Sequence, residues 1–523
     1  MLSYPPRELW PDKIYELPEL AYPSTLNACY ELIDANLARG CGSAPAIYSA
    51  DSVVTYDELA NDVMKLAGAL RERGVRQGDC VALRLLNRPH FVALFLALLR
   101  IGAVAVPTGP LLRHREISAI IQSANPMLLI SETDLWEELE KMGGNAPPCV
   151  NIEELRDGPL LRECSPTAQD APAVLLYTSG STGAPKGCMH SHADLLAVCD
   201  SYARYILEPS PADRFGGHPT MAFGYGLGGL LLFPLRFGAS TVLLERFTPE
   251  AMIQSIRDNK VTLAFCVPFS LRVMMKQSTE LRSELRSLRF VVNSGETLPA
   301  SLYRAWRSST GIEILDGLGS AEMLYIFVSS RANRSRPGAT GETVPGYRAV
   351  VVDEATMQPL PDGQPGLIAV KGPTGCRYLH LPEHQQKYVR RGWNVPGDVF
   401  IRDTDGFFHY QCRNDDMIIC GGINIAGPEI ESVLLEHPSV LEAAVVASPD
   451  ELHGMVPKAF VVVKDQHLAS DDLKKELQEF VRQELARYKY PRKIEFVPEL
   501  PKTSTGKIRR TELRRTEFQA PNA

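Results

Sequence analysis

Tyr177-Thr-Ser-Gly-Ser-Thr-Gly-Ala-Pro-Lys-Gly187 continues an apolar run that begins at Ala173 and predicts a buried strand. Gly180 and Gly183 allow the chain to turn tightly and bring backbone N–H groups close to an anion. The predicted hydroxyl donors are Thr178, Ser179, Ser181 and Thr182, and the predicted positive charge is Lys186. These groups together predict a loop that binds a polyphosphate.

This segment differs from the G-x-x-x-x-G-K-[ST] phosphate loop, because Lys186 stands three residues after Gly183 and is followed by glycine. The alternative interpretation is a flexible glycine and serine turn of the kind found in many large proteins. The unbroken run of small hydroxyl and glycine residues before Pro-Lys-Gly favours phosphate binding.

Strands and helices alternate on both sides of this loop. Leu263-Ala-Phe-Cys-Val267 and Arg289-Phe-Val-Val-Asn293 predict buried strands, and the segment from Pro249 to Asn259 predicts an amphipathic helix between neighbouring strands. Alternation of this kind is typical of an α/β fold with mostly parallel sheets. Ligand sites in such sheets collect at the carboxyl ends of the strands, where the motifs described here lie.

The last hundred or so residues have a different pattern, which predicts a smaller α+β domain. Ser470 can cap a helix whose apolar face comprises Leu473, Leu477, Phe480, Val481 and Leu485. The segments Lys458-Ala-Phe-Val-Val-Val463 and Lys493-Ile-Glu-Phe-Val497 predict strands on either side of that helix. We therefore predict a large N-terminal domain over residues 1–413 and a small mobile C-terminal domain over residues 414–523.

Composition excludes several classes of function. The chain of 523 residues has a net charge of -7, and the absence of a long basic run argues against nucleic-acid binding. The N-terminus lacks the pattern of a signal peptide, and the apolar stretch from Phe91 to Val106 is interrupted by Arg100 and too short for a bilayer span. The 11 cysteines show no metal-ligand spacing, which predicts reduced and mostly buried thiols. We expect a cytoplasmic protein without membrane attachment or a metal–cysteine site.

The loop and several later segments, in the same order, resemble the signatures of the adenylate-forming superfamily. That superfamily includes acyl- and aryl-CoA ligases, peptide-synthetase adenylation domains and firefly luciferase, and the likeness covers nearly the whole chain. It implies a two-step reaction in which ATP and a carboxylic acid give an acyl-adenylate, and a thiol then takes the acyl group. ATP, Mg²⁺ and coenzyme A are the cofactors and co-substrates that the resemblance implies.

Leu315-Asp-Gly-Leu-Gly-Ser-Ala-Glu322 resembles the family's Y-G-x-T-E motif. The resemblance implies that Glu322 holds the Mg²⁺ of ATP, since this hard cation prefers carboxylate oxygen, and that Asp316 accepts a hydrogen bond from the adenine amine. Leu318 replaces the usual aromatic residue, so adenine would pack on an aliphatic side chain. Ala321 replaces threonine and removes a hydroxyl near the α-phosphate, for which Thr182 and Lys507 can compensate.

Two further segments resemble the remaining nucleotide-binding motifs. Asn293-Ser-Gly-Glu296 resembles the segment that lines the other face of adenine, and Gly397-Asp398 with Arg413 resembles the block that binds ribose. The implied nucleotide-binding residues outside the phosphate loop are Ser294, Gly295, Glu296, Asp316, Gly317, Leu318, Asp398 and Arg413.

Pro501-Lys-Thr-Ser-Thr-Gly-Lys507 matches the family's C-terminal motif and implies that Lys507 is the catalytic lysine. Activation brings an anionic carboxylate to an anionic α-phosphate, and two such charges about 4 Å apart repel by roughly 4 kcal/mol at an effective dielectric near 20. An ammonium between them offsets that repulsion and stabilises the charge of the transition state. The resemblance also makes Asp415 the hinge of a domain rotation and places Gly421 and Gly422 in the channel for the pantetheine arm.

The predicted acyl pocket is framed by His218-Pro-Thr-Met-Ala-Phe-Gly-Tyr-Gly-Leu-Gly228 and by the turn from Leu318 to Tyr325. These strings most resemble benzoate-CoA ligases, but Gly224 stands where alanine is usual and Tyr325 where histidine is usual. A missing methyl group makes room next to the ring, and a phenol offers a hydrogen bond. The candidate substrate-binding residues are Phe223, Gly224, Tyr225, Gly319 and Tyr325.

The sequence leaves the substrate and the thiol open. Our first hypothesis for the acid is a substituted benzoate, with 2-aminobenzoate (anthranilate) preferred and benzoate as the alternative. A stand-alone adenylation enzyme that loads a carrier protein is also open, because the carrier's phosphopantetheine is the same arm as that of coenzyme A. An ATP-binding protein without acyl chemistry is disfavoured by intact Glu322, Asp398, Arg413 and Lys507. The sequence also leaves the oligomeric state open, with a homodimer as one alternative.

Overall fold

The computed structural model describes residues 4–50, 52–179, 185–420, 423–450, 454–465, 467, 469–485, 489–503 and 506–519. Its strands, in chain order, are β1 Pro45–Tyr48, β2 Val53–Thr55, β3 Cys80–Arg84, β4 Val104–Pro107, β5 Leu128–Ser131, β6 Cys149–Asn151, β7 Pro172–Ser179, β8 Pro185–Ser191, β9 Arg214–Gly217, β10 Ser240–Leu243, β11 Leu263–Cys266, β12 Phe290–Ser294, β13 Glu313–Gly319, β14 Ile326–Ser329, β15 Glu342–Thr343, β16 Arg348–Val352, β17 Gly366–Lys371, β18 Val389–Arg390, β19 Trp393–Asn394, β20 Asp398–Arg402, β21 Phe408–Arg413, β22 Ile418–Cys420, β23 Ile423–Ile425, β24 Val440–Asp450, β25 Gly454–Val463 and β26 Lys493–Phe496.

The α-helices lie mainly between strands. In chain order they are α1 Ala35–Ala38, α2 Tyr56–Glu72, α3 Pro89–Ile101, α4 His114–Ala124, α5 Glu137–Glu140, α6 His192–Val198, α7 Gly224–Leu227, α8 Phe233–Arg236, α9 Pro249–Asn259, α10 Pro268–Gln277, α11 Leu281–Glu284, α12 Ala300–Thr310, α13 Pro382–Tyr388, α14 Gly427–Leu434, α15 Asp471–Glu484 and α16 Arg510–Gln519. Short π-helical segments at Tyr30–Asp34, Cys199–Leu207 and Gly228–Leu232 adjoin α1, α6 and α7.

Two large sheets form the body of the N-terminal region. A nine-stranded sheet has the order β15-β14-β13-β12-β11-β9-β10-β1-β2, and β1 and β9 to β13 pair in parallel. A six-stranded sheet has the order β6-β5-β3-β4-β7-β8, with only β8 antiparallel to its neighbour. The predicted α/β class with mostly parallel sheets is therefore confirmed.

The third sheet of the N-terminal region is antiparallel and ends with β20 and β21. The chain then enters a separate five-stranded sheet of β22 to β26. The change of sheet falls between Arg413 and Ile418, with a single 3₁₀ turn at Asn414–Asp416 between them. The hydrophobic core of the C-terminal sheet contains residues of β22 to β26 and of α14 and α15.

Helix α15 illustrates how local sequence sets an element of the small domain. The Ser470 side chain accepts a hydrogen bond from the backbone N–H of Leu473, which caps the helix. Leu473, Leu477 and Val481 are buried, and Phe480 packs edge-on against His437. The capped amphipathic helix that the sequence predicts is confirmed.

None of the helices among the described residues is both long and apolar enough to cross a bilayer. All 11 cysteines are free thiols, and most are buried, as predicted. Cys29, Asp34 and Cys164 bring ligand-type atoms within 4.8 Å of one another. Arg100 donates two hydrogen bonds to the Asp34 carboxylate, so the guanidinium balances that charge.

Candidate active site

The two strands that flank the predicted phosphate loop form a β-hairpin. Strands β7 and β8 pair antiparallel with Thr178 opposite Lys186 and Ser179 opposite Pro185. The hairpin therefore carries a hydroxyl and an ammonium on adjacent strands at the base of the loop. Gly180, Ser181, Thr182 and Gly183, which the sequence assigns to phosphate binding, lie outside the described residues.

The predicted adenine site is built where two parallel strands end together. In the β12–β13 pair Asn293 lies opposite Asp316, and Ser294 opposite Gly317. Asn293 Nδ2 donates to Asp316 Oδ1 at 2.6 Å, and Ser294 Oγ donates to the Gly317 carbonyl at 2.9 Å. Burial of the carboxyl raises the pKa of Asp316 to about 7, against the opposing effect of the Asn293 hydrogen bond. Leu318, half-buried, follows on the same strand.

Glu322 lies in the turn between β13 and β14, with its carboxylate held by a tyrosine. The Tyr378 hydroxyl donates to Glu322 Oε1 at 2.7 Å. The other carboxylate oxygen, Oε2, accepts no hydrogen bond from the part of the chain that the structure describes. A single carboxylate with one free oxygen suits Mg²⁺, which proteins commonly bind through one or two carboxylates and the substrate's phosphates.

Ala321, the departure from the family motif, is held through its backbone. The His190 ring donates from Nε2 to the Ala321 carbonyl at 2.6 Å, and Leu324 N donates to the same oxygen at 3.1 Å. On its other side, His190 Nδ1 lies 3.7 Å from Asp194 Oδ2. Asp194 is fully buried and is paired with Lys13 and Arg377. A buried ionic network therefore supports the residue next to Glu322.

The predicted ribose residues lie opposite each other on neighbouring strands. Asp398 and Arg413 are paired residues of β20 and β21, and Arg413 Nη1 donates to Asp398 Oδ1 at 3.1 Å. Burial raises the pKa of the Asp398 carboxyl, while Arg413 and then Lys507 oppose that shift. The pair combines a carboxylate acceptor with a guanidinium donor, as recognition of two ribose hydroxyls requires.

Lys507 reaches this part of the N-terminal region from the C-terminal one. Its Cε lies 3.8 Å from the position that a Cβ would occupy at Gly295, where φ is +92°. Glycine at 295 thus permits both the left-handed backbone and the close approach of the lysine. Desolvation by the surrounding protein lowers the pKa of Lys507, and attraction to Glu296 and then Asp398 opposes that effect. The structure thus brings the predicted catalytic lysine to the predicted nucleotide residues.

The candidate acyl residues surround a cluster of aromatic rings. The Tyr325 ring packs edge-on against Phe233, with ring centroids 4.6 Å apart, and lies 5.0 Å from Tyr202 and 6.2 Å from Tyr225. The Tyr225 hydroxyl lies 3.0 Å from the carbonyl of Cys266, at the end of β11, and 2.9 Å from that of Val292, within β12. The Tyr325 hydroxyl is buried and has no hydrogen-bond partner among the described residues.

Gly224 and Gly319 are required by close backbone approaches. A methyl group at residue 224 would lie 2.4 Å from the Leu324 carbonyl oxygen, and one at residue 319 would lie 2.9 Å from the Tyr325 backbone. The space left by glycine at 224 is therefore filled by Leu324, which gives Gly224 a packing role that the sequence did not indicate. Phe223 is half-buried at the start of α7, and its ring faces Gly109.

The remaining sequence predictions concern the second half-reaction. Asp415, the predicted hinge, lies in the 3₁₀ turn at Asn414–Asp416, where the chain passes from one sheet to the next. Gly421 and Gly422, predicted to line the pantetheine channel, lie outside the described residues.

Comparison with known proteins identifies the family. The model of the AMP-binding enzyme family matches residues 34–378, and that of the AMP-binding enzyme C-terminal domain matches residues 429–507. The chain belongs to the AMP-binding enzyme family. Together with its relatives, this membership makes the protein an AMP-forming acid–CoA ligase.

Three relatives illustrate the similarity of this AMP-binding enzyme to others. A benzoate–CoA ligase of Thauera aromatica is 36% identical, over 95% of this chain and 97% of the relative. The crystal structure of an anthranilate CoA ligase with anthranoyl-AMP superposes with a TM-score of 0.91 at 32% identity, over 96% of this chain and 99% of that chain. A benzoate CoA ligase from Burkholderia xenovorans LB400 gives a TM-score of 0.86 at 33% identity, over 94% of this chain and all of that one.

Two residues that support the site of this AMP-binding enzyme, Tyr378 and His190, were not predicted from the sequence. Tyr378 lies 56 positions from Glu322, and His190 lies 131 positions from Ala321. Neither belongs to a motif with a chemical reason for its spacing. His190 stands three residues after the phosphate-loop motif, which is the single local signal that could have drawn attention to it.

Proposed function

We propose that the protein is an ATP-dependent aryl-CoA ligase whose acid is a substituted benzoate, with 2-aminobenzoate as the preferred substrate. The observation that carries the proposal is the position of Lys507, beside Gly295 and within the electrostatic reach of Glu296 and Asp398. This arrangement supports adenylate formation, because a cation beside the proposed nucleotide residues can offset the repulsion between carboxylate and phosphate. The similarity to anthranilate and benzoate CoA ligases over at least 94% of the chain supports an aromatic acid.

The first half-reaction joins two anions. A carboxylate oxygen of the acid attacks the α-phosphorus of ATP, the bond from that phosphorus to the bridging oxygen breaks, and pyrophosphate leaves. Lys507 would lie between the carboxylate and the α-phosphate, Asp398 and Arg413 would hold the ribose, and Asp316 would accept from the adenine amine. Glu322 would hold Mg²⁺, which when bound neutralises phosphate charge.

In the second half-reaction the thiol of coenzyme A attacks the acyl carbon of the adenylate. The bond from that carbon to the AMP oxygen breaks, AMP leaves, and the thiol proton passes to solvent. We propose that the C-terminal domain first rotates about Asp415, which withdraws Lys507 and brings the Gly421–Gly422 loop to the acyl group.

The preference for a substituted ring is supported by one buried group. The Tyr325 hydroxyl lies in the aromatic cluster without a partner among the described residues, and a buried polar group of this kind favours a ligand that supplies the missing hydrogen bond. An amino or hydroxyl substituent on a benzoate can do so, whereas unsubstituted benzoate cannot.

A substrate panel tests the proposal. AMP release and thioester formation are measured with benzoate, aminobenzoates, hydroxybenzoates and short fatty acids under the same conditions. We expect 2-aminobenzoate to give the highest kcat/KM. An advantage of benzoate over 2-aminobenzoate by about tenfold, equivalent to one substituent's hydrogen bond, would refute the preferred acid and leave benzoate as the substrate.

The thiol is tested separately, because a carrier protein presents the same phosphopantetheine arm. We expect free coenzyme A to accept the acyl group at a rate comparable to that of adenylation. Efficient loading of a holo carrier protein together with slow reaction of free coenzyme A would favour the stand-alone adenylation enzyme. Absence of acid-dependent ATP–pyrophosphate exchange would show a protein that binds ATP without acyl chemistry.

A further inference from the structure

Tyr378 is buried, and its hydroxyl makes one short contact. It is 4% exposed and donates to Glu322 Oε1 at 2.7 Å. Its ring packs edge-on against Tyr388, with ring centroids 5.9 Å apart and an interplanar angle of 82°. A carboxylate oxygen accepts hydrogen bonds and a phenolic hydroxyl can donate, so Tyr378 is the donor in this contact.

The position of Tyr378 is fixed by backbone pairing with the phosphate hairpin. The segment from 377 to 379 runs antiparallel to β8: Met189 N donates to the Arg377 carbonyl at 3.0 Å, and Leu379 N donates to the Gly187 carbonyl at 2.9 Å. Successive side chains of an extended segment point to opposite sides. Arg377 accordingly pairs with buried Asp194 at 3.1 Å, while Tyr378 points to Glu322.

The turn that carries Glu322 is held on both sides of that residue. His190 donates to the Ala321 carbonyl at 2.6 Å, and Thr374 Oγ1 donates to the Met323 carbonyl at 2.8 Å. The backbone of residue 322 is thus fixed, and its side chain can still rotate. The hydrogen bond from the Tyr378 hydroxyl restricts the orientation of the Glu322 carboxylate.

We propose that Tyr378 is a positioning residue of the adenylation half-reaction, which occupies Glu322 Oε1 and thereby presents Oε2 to the Mg²⁺ of bound ATP. This inference rests on the role proposed for Glu322. A carboxylate that is already oriented loses less conformational freedom when it binds the metal. A hydrogen bond to the carboxylate that binds a metal is also typical of metal sites, where such outer partners set the orientation of the ligand and its affinity for the metal.

The test is Tyr378→Phe, which removes the hydroxyl and keeps the ring that packs on Tyr388. The first measurement is the affinity for a non-hydrolysable ATP analogue, with Mn²⁺ and without metal. Calorimetry measures binding in both cases, and paramagnetic resonance of Mn²⁺ measures it for the metal complex. We expect affinity for the metal complex to fall about tenfold, the size of one hydrogen bond to a charged group, while affinity for the metal-free analogue stays within about twofold.

The second measurement separates the half-reactions. In Tyr378→Phe the Mg²⁺ concentration for half-maximal ATP–pyrophosphate exchange should rise about five- to tenfold. Conversion of supplied aryl-AMP to thioester should stay within about twofold, because that step does not use the Mg²⁺ site. The matched control is Tyr56→Phe, which removes another buried hydroxyl, one that donates to the Ala239 carbonyl at 2.7 Å; neither measurement should change.

A double-mutant cycle identifies the partner through which Tyr378 acts. In a Glu322→Gln background, Tyr378→Phe should have little further effect on binding of the metal–nucleotide complex. Unchanged metal dependence in Tyr378→Phe, or an equal loss with and without metal, would overturn the proposal. The binding measurements need no acid, so they remain decisive if the proposed aromatic substrate proves wrong.

Discussion

Lys507 of the C-terminal region approaches Gly295 of the N-terminal region, with its Cε 3.8 Å from the position of a Cβ at Gly295. The ammonium of Lys507 and the carboxylate of the neighbouring Glu296 carry opposite charges. The two charges attract, which opposes the lowering of the Lys507 pKa and the raising of the Glu296 pKa that desolvation causes. Glu296 Oε1 also lies 4.0 Å from the position of a Cβ at Gly506. This attraction favours the position of the C-terminal lysine at the site where adenylation is proposed. Arg304 and Glu436 form an ion pair between the two regions at 3.2 Å.

Replacing the catalytic lysine should separate the two half-reactions. We expect Lys507→Ala to lower acid-dependent ATP–pyrophosphate exchange by about a hundredfold or more, because one preorganised cation contributes on that scale. Conversion of supplied aryl-AMP to the thioester should persist. Lys464→Ala is the matched control, since that lysine is exposed and its ammonium donates to the Pro438 carbonyl. An equal loss in both half-reactions of Lys507→Ala would contradict domain alternation.

Removing the charge opposite Lys507 should shift a pH profile in a defined direction. The negative charge of Glu296 favours the protonated lysine, so Glu296→Gln should lower the Lys507 pKa further. The basic limb of the pH profile of adenylation should then move to lower pH, and that of thioester formation from supplied aryl-AMP should not move. A shift to higher pH, or the same shift in both half-reactions, would show that Glu296 does not act on Lys507.

Asp316 should make stability depend on pH. Its carboxyl has an unfolded value near 3.8 and a folded pKa of about 7, so the folded state binds the proton more tightly. The resulting stabilisation is present below about pH 4 and is lost as the pH rises towards 7. Asp316→Asn removes the buried charge. The thermal midpoint of the variant minus that of the unaltered protein should therefore increase as the pH rises from 4 to 8. A difference that is constant with pH would contradict the raised pKa.

The buried phenol should distinguish substituted from unsubstituted acids. Tyr325→Phe keeps the packing against Phe233 and removes the hydroxyl that has no partner among the described residues. We expect kcat/KM for 2-aminobenzoate to fall about tenfold and that for benzoate to stay within about twofold, since only the former can lose a hydrogen bond. Benzoate serves as the internal control. Equal losses for both acids would show that the hydroxyl makes no hydrogen bond to the substituent.

Gly224→Ala should lower the stability of the folded protein. The added methyl group would lie 2.4 Å from the Leu324 carbonyl oxygen, which forces the turn beside Glu322 to move. We expect a loss of about 1–3 kcal/mol in the free energy of unfolding, typical of overpacking, with similar losses of kcat/KM for every acid. Gly144→Ala is the matched control, because a Cβ there meets nothing within 4 Å. Loss confined to substituted benzoates would restore the sequence interpretation of Gly224 as room for the substituent.

The sequence by itself determined the α/β class, the strands that precede the nucleotide motifs, the capped helix α15 and the order of those motifs along the chain. These features depend on local patterns: apolar runs, helical spacing and turn residues act over a few positions, so they can be read without the fold. The catalytic role of Lys507 was implied by family resemblance, and the tertiary structure supplied its approach to Gly295.

Only the tertiary structure decided how the site is supported. The Tyr378–Glu322 hydrogen bond depends on pairing of residues 377–379 with β8, and the role of Gly224 depends on the path of Leu324. Ala321 removes a side-chain hydroxyl from the motif, yet its carbonyl is fixed by a histidine 131 positions away. Contacts of this kind arise from how sheets and turns meet in space, and no local pattern in the chain encodes them.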